Sequence, residues 1–149
     1  MRAFLSLGSN LGDRRAYLRE AITALPDVVA VSPVYETVPI GGPQQEMFLN
    51  IVVQLETKLT PALLLGICHR IETAANRVRE ERWGPRTLDI DIVWIDGVDI
   101  DTPTLTIPHP RWKERRFVLA PLRDLAPDLV SERELEHSEG RVNVVEGLE

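Results

Sequence analysis

Residues 84–97 read GPRTLDIDIVWIDG. The centre of this stretch alternates. Leu88, Ile90, Ile92 and Trp94 are apolar and share one parity, and Asp89 and Asp91 stand between them. Val93 and Ile95 continue the acidic parity with apolar side chains. A period of two predicts a β-strand, and apolar residues on both parities predict a buried one. The strand would then carry two carboxylates on one face.

Working outward, the elements before this strand decide the fold. Residues 2–8 alternate as a strand with Ala3, Leu5 and Leu7 on one face. GSNLGD, residues 8–13, is a turn into a helix with Asp13 as N-cap. Leu18, Ala21, Ile22 and Leu25 then follow helical spacing, and Pro26 stops the pattern. VVAVSPVYETV (28–38) predicts a second strand and FLNIVVQLET (48–57) a third. PIGGPQQEM (39–47) lies between them, is longer than a tight hairpin needs, and reads as a working loop. Thr60-Pro61 opens a second helix, with Leu64, Ile67, Cys68, Ile71, Ala75 and Val78 as its buried stripe. The loop REERWGPR (79–86) leads into the Asp strand. The order β-α-β-β-α-β predicts a ferredoxin-like α+β sandwich, a mainly antiparallel sheet with helices on one face, followed by C-terminal additions. One domain is expected over residues 1–130. Residues 131–149 are expected to form an acidic C-terminal tail, serving interaction or poorly ordered.

Size and charge narrow the function classes. The chain has 149 residues, enough for one domain with a real core. No apolar run approaches the roughly 20 residues that span a bilayer, and the start lacks a signal-peptide pattern. A single cysteine, Cys68, excludes an internal disulfide and points to the cytoplasm. The formal net charge of -6 argues against a general nucleic-acid binder. The charge is uneven, however. Residues 131–149 hold six Glu and two Arg, whereas residues 109–116 hold four basic residues and one Glu. Residues 70–86 hold five Arg and three Glu. Two basic segments therefore flank the Asp strand, an arrangement that suits a polyphosphate held with metal ions.

The Asp pair has two readings. Positions i and i+2 of a strand lie roughly 6.6 Å apart, close enough for two carboxylates to converge on one or two divalent cations. All-oxygen ligands favour magnesium over zinc. Alternatively, Arg79, Arg82 or Arg86 neutralises the acids in a structural ion pair. Arg77 and Arg79 could equally serve as a solvated helix end, whereas Arg82 and Arg86 surround Trp83 in a Gly/Pro loop beyond it. His109 stands between Pro108 and Pro110, which restrict its backbone; it serves as a phosphate donor or as an ordinary loop histidine. No Walker A motif occurs, so any nucleotide phosphates would be held by Arg side chains and metal. Phe48 and Asn50 share one face of the third strand, and Phe117 follows the basic segment. Two aromatics and an amide could sandwich and read a flat heterocycle, or could be core residues and a strand-end Asn.

Together these residues resemble 6-hydroxymethyl-7,8-dihydropterin pyrophosphokinase, often abbreviated HPPK. The resemblance is carried by LSLGSNLGD, YETVPIGGPQQEMFLN, RIETAANRVREERWGPRTLDIDI, LTIPHPRWKERRFVLAPL and DLAP, in order over residues 3–128. It implies transfer of diphosphate from ATP to the pterin hydroxymethyl group in folate biosynthesis, leaving AMP. Asp89 and Asp91 would hold two magnesium ions, and Arg77 and Arg86 would stabilise charge on the transferred group. Arg82 and Trp83 would ride a loop over the nucleotide. Arg79, His109 and Arg115 would contact ATP, with Glu72, Ile92 and Thr106 on the nucleoside side. The pterin would stack between Phe48 and Phe117, its edge read by Asn50 and by Thr37, Val38 and Ile40. Gly8 would let the chain pass close to the ring. A monomer, acting on small molecules without nucleic acid or membrane, is expected.

Two other classes share some of these features. A metal-dependent phosphohydrolase or nucleotidyltransferase would keep the Asp pair without the aromatic pair and Asn50. A non-catalytic binding module would have no need of two acids beside an Arg/Trp loop.

Overall fold

The computed structural model describes residues 1–10, 12–37, 47–76 and 88–148. Strand β1 (Arg2–Ser9) leads to helix α1 (Arg14–Ala24), then to β2 (Val28–Val31), β3 (Val34–Thr37) and β4 (Phe48–Glu56). Helix α2 (Pro61–Asn76) and β5 (Asp89–Ile95) complete the expected order. β1 lies between β5 and β4, antiparallel to both, and β2 and β3 both pair with the outer edge of β4. This is the ferredoxin-like sheet.

Local chemistry accounts for the helix starts. The Asp13 side chain accepts from the Ala16 amide at 3.1 Å, so it caps α1 as its sequence position predicts. Thr60 Oγ1 accepts from the Leu63 amide at 3.2 Å, and Pro61, which lacks an amide hydrogen, takes the first helical position. Both helices bury their stripes against one sheet face. Leu18 and Ala21 of α1 and Leu64 and Cys68 of α2 meet Ala3, Leu5 and Leu7 of β1 and Leu49, Ile51, Val53 and Leu55 of β4. Burial pushes the Cys68 thiol up to about 12, helped by the negative charges of Glu72 and Asp91, so it sits in this core as a small protonated residue.

Three features depart from simple periodicity. The stretch 28–38 is not one strand: it breaks at Ser32-Pro33. Pro33 cannot donate to the ladder, and Ser32 ties this point to β4 twice. Its amide donates to Val52 O and its hydroxyl accepts from the Val52 amide, both at 2.9 Å. The alternation of β5 also breaks. Leu5 pairs with Ile92 but Phe4 pairs with Trp94, so Val93 is an inserted residue, a β-bulge. Trp94 therefore leaves the face of Ile90 and Ile92. It packs 5.7 Å from the Trp112 ring on the other side, while Ile95 takes its place in the α1/α2 core.

The third departure is a second helical layer. β6 (Ile100–Asp101) and β7 (Thr106–Ile107) form a separate small hairpin, followed by a short 3-10 turn at Trp112–Glu114 and helix α3 (Arg116–Leu125). Helices were expected on one face of the sheet only. Instead, α3 packs on the opposite face, where Val118, Leu119 and Leu122 meet Phe4, Val52 and Val93. Residues 131–148 also join the fold. Ser131 and Glu134 form a capping box at α4 (Glu132–His137), and β8 (Val142–Val145) pairs antiparallel with β3. Arg116 secures this segment by donating to the carbonyl oxygens of Glu136, Ser138 and Gly140 and to Ser138 Oγ. Among the described residues, no helix is long and apolar enough to cross a membrane.

Arg2, at the start of β1, joins both ends of this arrangement. Its guanidinium reaches Asp96 at 3.0 Å and Asp128 at 2.8 Å. The hydrogen bond from Arg2 holds the Asp128 carboxyl below the ordinary aspartate value. A carboxyl depressed in the folded state stabilises the fold above its unfolded pKa, about 4, and loses that contribution as pH falls through the folded value. Urea unfolding of wild type and Asp128→Asn is therefore expected to show a gap at pH 7 that closes as pH falls below about 4. A gap of unchanged size at pH 2 would contradict this role for the pair.

Candidate active site

The register of β1 between its two neighbours builds the site. Gly8 stands opposite Asn50 on β4 and opposite Asp89 on β5, and Ser6 stands opposite Val52 and Asp91. Directly opposed residues of an antiparallel pair share a face. Asp89, Gly8 and Asn50 therefore form one row across the sheet, and Asp91, Ser6 and Val52 the next. Both rows lie on the face that α3 covers. Farther along the same face come Phe4 and Val93, which α3 buries. The face is thus apolar where α3 lies and polar beyond its N-terminus.

The polar half is the floor of a cavity of about 440 Å³. Besides Gly8, Asn50, Asp89, Asp91 and Ser6, its lining includes Thr37 and Phe48, a cross-strand pair of β3 and β4. Arg115 and Phe117 close it from the start of α3, with the Arg115 guanidinium 5.6 Å from the Phe117 ring centroid. Eight of the residues singled out in the sequence therefore meet at one place: Gly8, Thr37, Phe48, Asn50, Asp89, Asp91, Arg115 and Phe117.

Two of the contacts here are tight. Asn50 Nδ2 donates to Thr37 Oγ1 at 2.6 Å, and both side chains are buried. A hydroxyl that accepts this bond keeps its own hydrogen to donate. On the other side, Asn50 Oδ1 lies 2.7 Å from where a Cβ on Gly8 would be. Only glycine lets the amide lie this close to β1. Gly8 therefore lies directly against the Asn50 amide in the cavity floor.

Glu72, Ile92, Thr106 and His109 lie around β5 and do not line this cavity. Glu72 Oε2 accepts from the Ile90 amide at 3.0 Å, joining α2 to the start of β5. Ile92 points to the α1/α2 core, where it is nearly buried. Thr106 Oγ1 is 3.5 Å from Asp101. The His109 amide donates to Val93 O at 2.9 Å, and its Nδ1 accepts from the Arg111 amide at 3.3 Å. Burial lowers the imidazole pKa; Asp91 opposes this, and Arg115 and Arg111 reinforce it. Arg77, Arg79, Arg82, Trp83, Arg86, Val38 and Ile40 lie outside the described residues.

The cavity also contains residues not singled out in the sequence: Ser6, Arg111, Glu114 and Glu139. Ser6 shares the parity of Gly8, and that signal was available. Arg111 and Glu114 pair with each other at 3.0 Å and were visible only as part of a charged run. Glu139 is brought in by tertiary pairing alone. Its amide donates to Glu114 O at 2.8 Å and its carbonyl accepts from the Arg116 amide at 3.0 Å. Among the described residues, no group of three or more His, Cys, Asp or Glu side chains is placed to hold a metal by itself. Asp89 and Asp91 offer an all-oxygen pair instead. Magnesium is characteristically bound through one or two carboxylates completed by water and substrate phosphates, so the pair fits it.

The fold and cavity together define an α+β domain with one aromatic-walled, amide-bearing end and one charged end, suited to a flat polar heterocycle beside an anionic group. The chain belongs to the 7,8-dihydro-6-hydroxymethylpterin-pyrophosphokinase (HPPK) family, whose pattern matches residues 4–127. It is 45% identical over 135 residues to the 2-amino-4-hydroxy-6-hydroxymethyldihydropteridine pyrophosphokinase of Bacillus subtilis, covering 87% of this chain and 81% of that one. It is 48% identical over 134 residues to the protein of the same name from Methylorubrum extorquens, covering 87% and 85%. The crystal structure of wild-type Plasmodium falciparum HPPK-DHPS shares the fold, with a TM-score of 0.63 at 17% identity. That match covers 85% of this chain and 38% of the other.

The contact between Gly8 and Asn50 generates a test. In Gly8→Ala the new Cβ forces the Asn50 amide from its place, and stability is expected to fall by about 1–3 kcal/mol in urea unfolding. Removing the obstructing oxygen in Gly8→Ala/Asn50→Ala is expected to recover most of that loss relative to Asn50→Ala alone. An equal loss in both backgrounds would show that the close approach is not the constraint.

Proposed function

We propose that this pyrophosphokinase binds 6-hydroxymethyl-7,8-dihydropterin at the aromatic end of the cavity and transfers to it the diphosphate of ATP bound at the charged end. The observation that supports this most is the meeting of Asp89, Asp91, Gly8, Asn50, Thr37, Phe48, Arg115 and Phe117 in one cavity. Phe48 and Phe117 supply two π-faces for the ring. Asn50, fixed by Thr37, offers a carbonyl and an amide hydrogen to the ring edge, and the Thr37 hydroxyl adds a donor. A pterin carries donors and acceptors side by side along that edge, so an oriented amide suits it. Specificity is strong where such groups would otherwise be left unpaired.

Asp89 and Asp91 would hold two magnesium ions that neutralise the triphosphate. Arg115, stacked on Phe117, presents a guanidinium to the phosphate oxygens. Arg77 and Arg86 would stabilise charge on the transferred group and on AMP as it leaves. Arg79, Arg82, Trp83, His109, Glu72, Ile92 and Thr106 would contact the nucleotide, and Val38 and Ile40 the pterin; these roles rest on the sequence resemblance. In the reaction, the pterin hydroxyl oxygen bonds to the β-phosphorus of ATP. The bond from that phosphorus to the bridging oxygen of AMP breaks, and the hydroxyl proton is released. The cavity's part is to hold the hydroxyl and the phosphorus in line, which lowers the barrier chiefly through positioning and charge. We infer that the protein works as a monomer in the cytoplasm; the buried, unpaired Cys68 is consistent with a reducing compartment.

Product analysis tests this reading. With ATP, magnesium and 6-hydroxymethyl-7,8-dihydropterin, the wild type is expected to form AMP and pterin diphosphate in equal amounts. EDTA is expected to stop the reaction. Asp91→Ala is expected to lower kcat by about a hundredfold or more at unchanged stability, since it removes half of the carboxylate pair. ADP as product, or AMP formed without the pterin, would contradict the transfer and favour hydrolysis.

A further inference from the structure

Arg14 lies at the first position of α1, on the side of the sheet away from the cavity. Its guanidinium reaches both flanks of residues 38–46. One terminal nitrogen donates to the Met47 carbonyl oxygen at 2.5 Å and stands 3.6 Å from the Glu36 carboxylate. Met47 precedes Phe48, and Glu36 precedes Thr37. Thr37 and Phe48 are themselves opposed across β3 and β4, and both line the cavity. They are also the last pair of that ladder before residue 38. The pair at the cavity rim is therefore backed by one cation that is hydrogen-bonded to the residue before Phe48 and ion-paired with the residue before Thr37. Arg14 is partly buried, as is Glu36, so solvent screens this contact less than it would an exposed pair.

We propose that Arg14 is a positioning residue for the pterin end of the site. It fixes the separation of Thr37 and Phe48, and through Thr37 the orientation of the Asn50 amide, without touching a ligand. A carboxylate on β3 and a carbonyl oxygen just before β4 that converge on one terminal nitrogen call for a cation that is also a hydrogen-bond donor. Lysine keeps the charge and a donor but lacks the reach and rigidity of the guanidinium, and glutamine can replace the carbonyl contact but not the charge. The inference rests on the proposed pterin site, and the ligands are chosen to separate the two.

The test is direct binding of 6-hydroxymethyl-7,8-dihydropterin and, separately, of magnesium–ATP, together with steady-state kinetics, for wild type, Arg14→Gln, Arg14→Lys, Glu36→Gln and the double variant Arg14→Gln/Glu36→Gln. Arg14→Gln is expected to weaken pterin binding and raise its KM about tenfold, the effect of losing a charged hydrogen bond. The Kd for magnesium–ATP and kcat are expected to stay within about twofold, because the Asp pair lies two strands away on β5. Arg14→Lys is expected to recover part of the loss. Glu36→Gln is expected to give a smaller shift that does not add to that of Arg14→Gln. Unchanged pterin affinity in Arg14→Gln would overturn the proposal, as would parallel losses for pterin and magnesium–ATP or full additivity of the two variants. A wild type that binds magnesium–ATP but no pterin would overturn the site reading, and with it the role of Arg14.

Discussion

The position of β1 between β4 and β5 is the constraint on which the site depends. Because side chains alternate along a strand, a slip of one residue would send every one of them to the opposite face. Ala3, Leu5 and Leu7 pin the strand through the α1/α2 core. Once they are buried, Ser6 and Gly8 must face the other way, between Asn50 and Asp89–Asp91. The hydrophobic core thus sets the spacing of polar groups that make no contact with it. Gly8 adds a local condition: a side chain there would occupy the space of the Asn50 amide.

The same division explains how one sheet face is both packed and open as a polar cavity. The α3 helix covers Phe4, Val52 and Val93 and ends its coverage at its own N-terminus. Arg115 and Phe117, at that terminus, therefore sit at the boundary between core and cavity. The bulge at Val93 belongs to this boundary. It turns Trp94 toward Trp112 beneath the segment carrying His109 and Arg115, and returns Ile95 to the first core. One short segment thus brings Arg111 and Arg115 to a cavity that Asp89, Asp91, Glu114 and Glu139 also line.

Much of this was legible in the sequence because it depends on period and spacing. The core strands and two helices follow from alternation, from the stripe Leu64–Cys68, from Asp13 as a cap and from Thr60-Pro61 as a helix start. The Asp pair was visible because i and i+2 on a strand share a face. What the sequence did not reveal depends on pairing between distant residues. The bulge at Val93 exists only relative to β1. The break at Ser32-Pro33 is bridged by Val52, twenty residues away. The second helical layer was hidden because the segment 105–127 mixes prolines and charges, which mask the apolar stripe of α3. Residues 131–148 look like a solvated tail by composition, yet Arg116 and β3 bind their backbone, and backbone bonds leave little trace in side-chain pattern. Glu139 and Arg14 escaped notice for the same reason.

The most direct measurement is a crystal structure with 6-hydroxymethyl-7,8-dihydropterin, magnesium and a non-hydrolysable ATP analogue bound together. The expected result is the pterin ring between Phe48 and Phe117 over Gly8, with its edge on Asn50. Metal should be bound by Asp89 and Asp91, and the hydroxymethyl oxygen should lie about 3–3.5 Å from the β-phosphorus, the distance of a near-attack arrangement. A pterin elsewhere on the molecule, or phosphates and metal held without the Asp pair, would contradict the assignment of this cavity as the place where the transfer occurs.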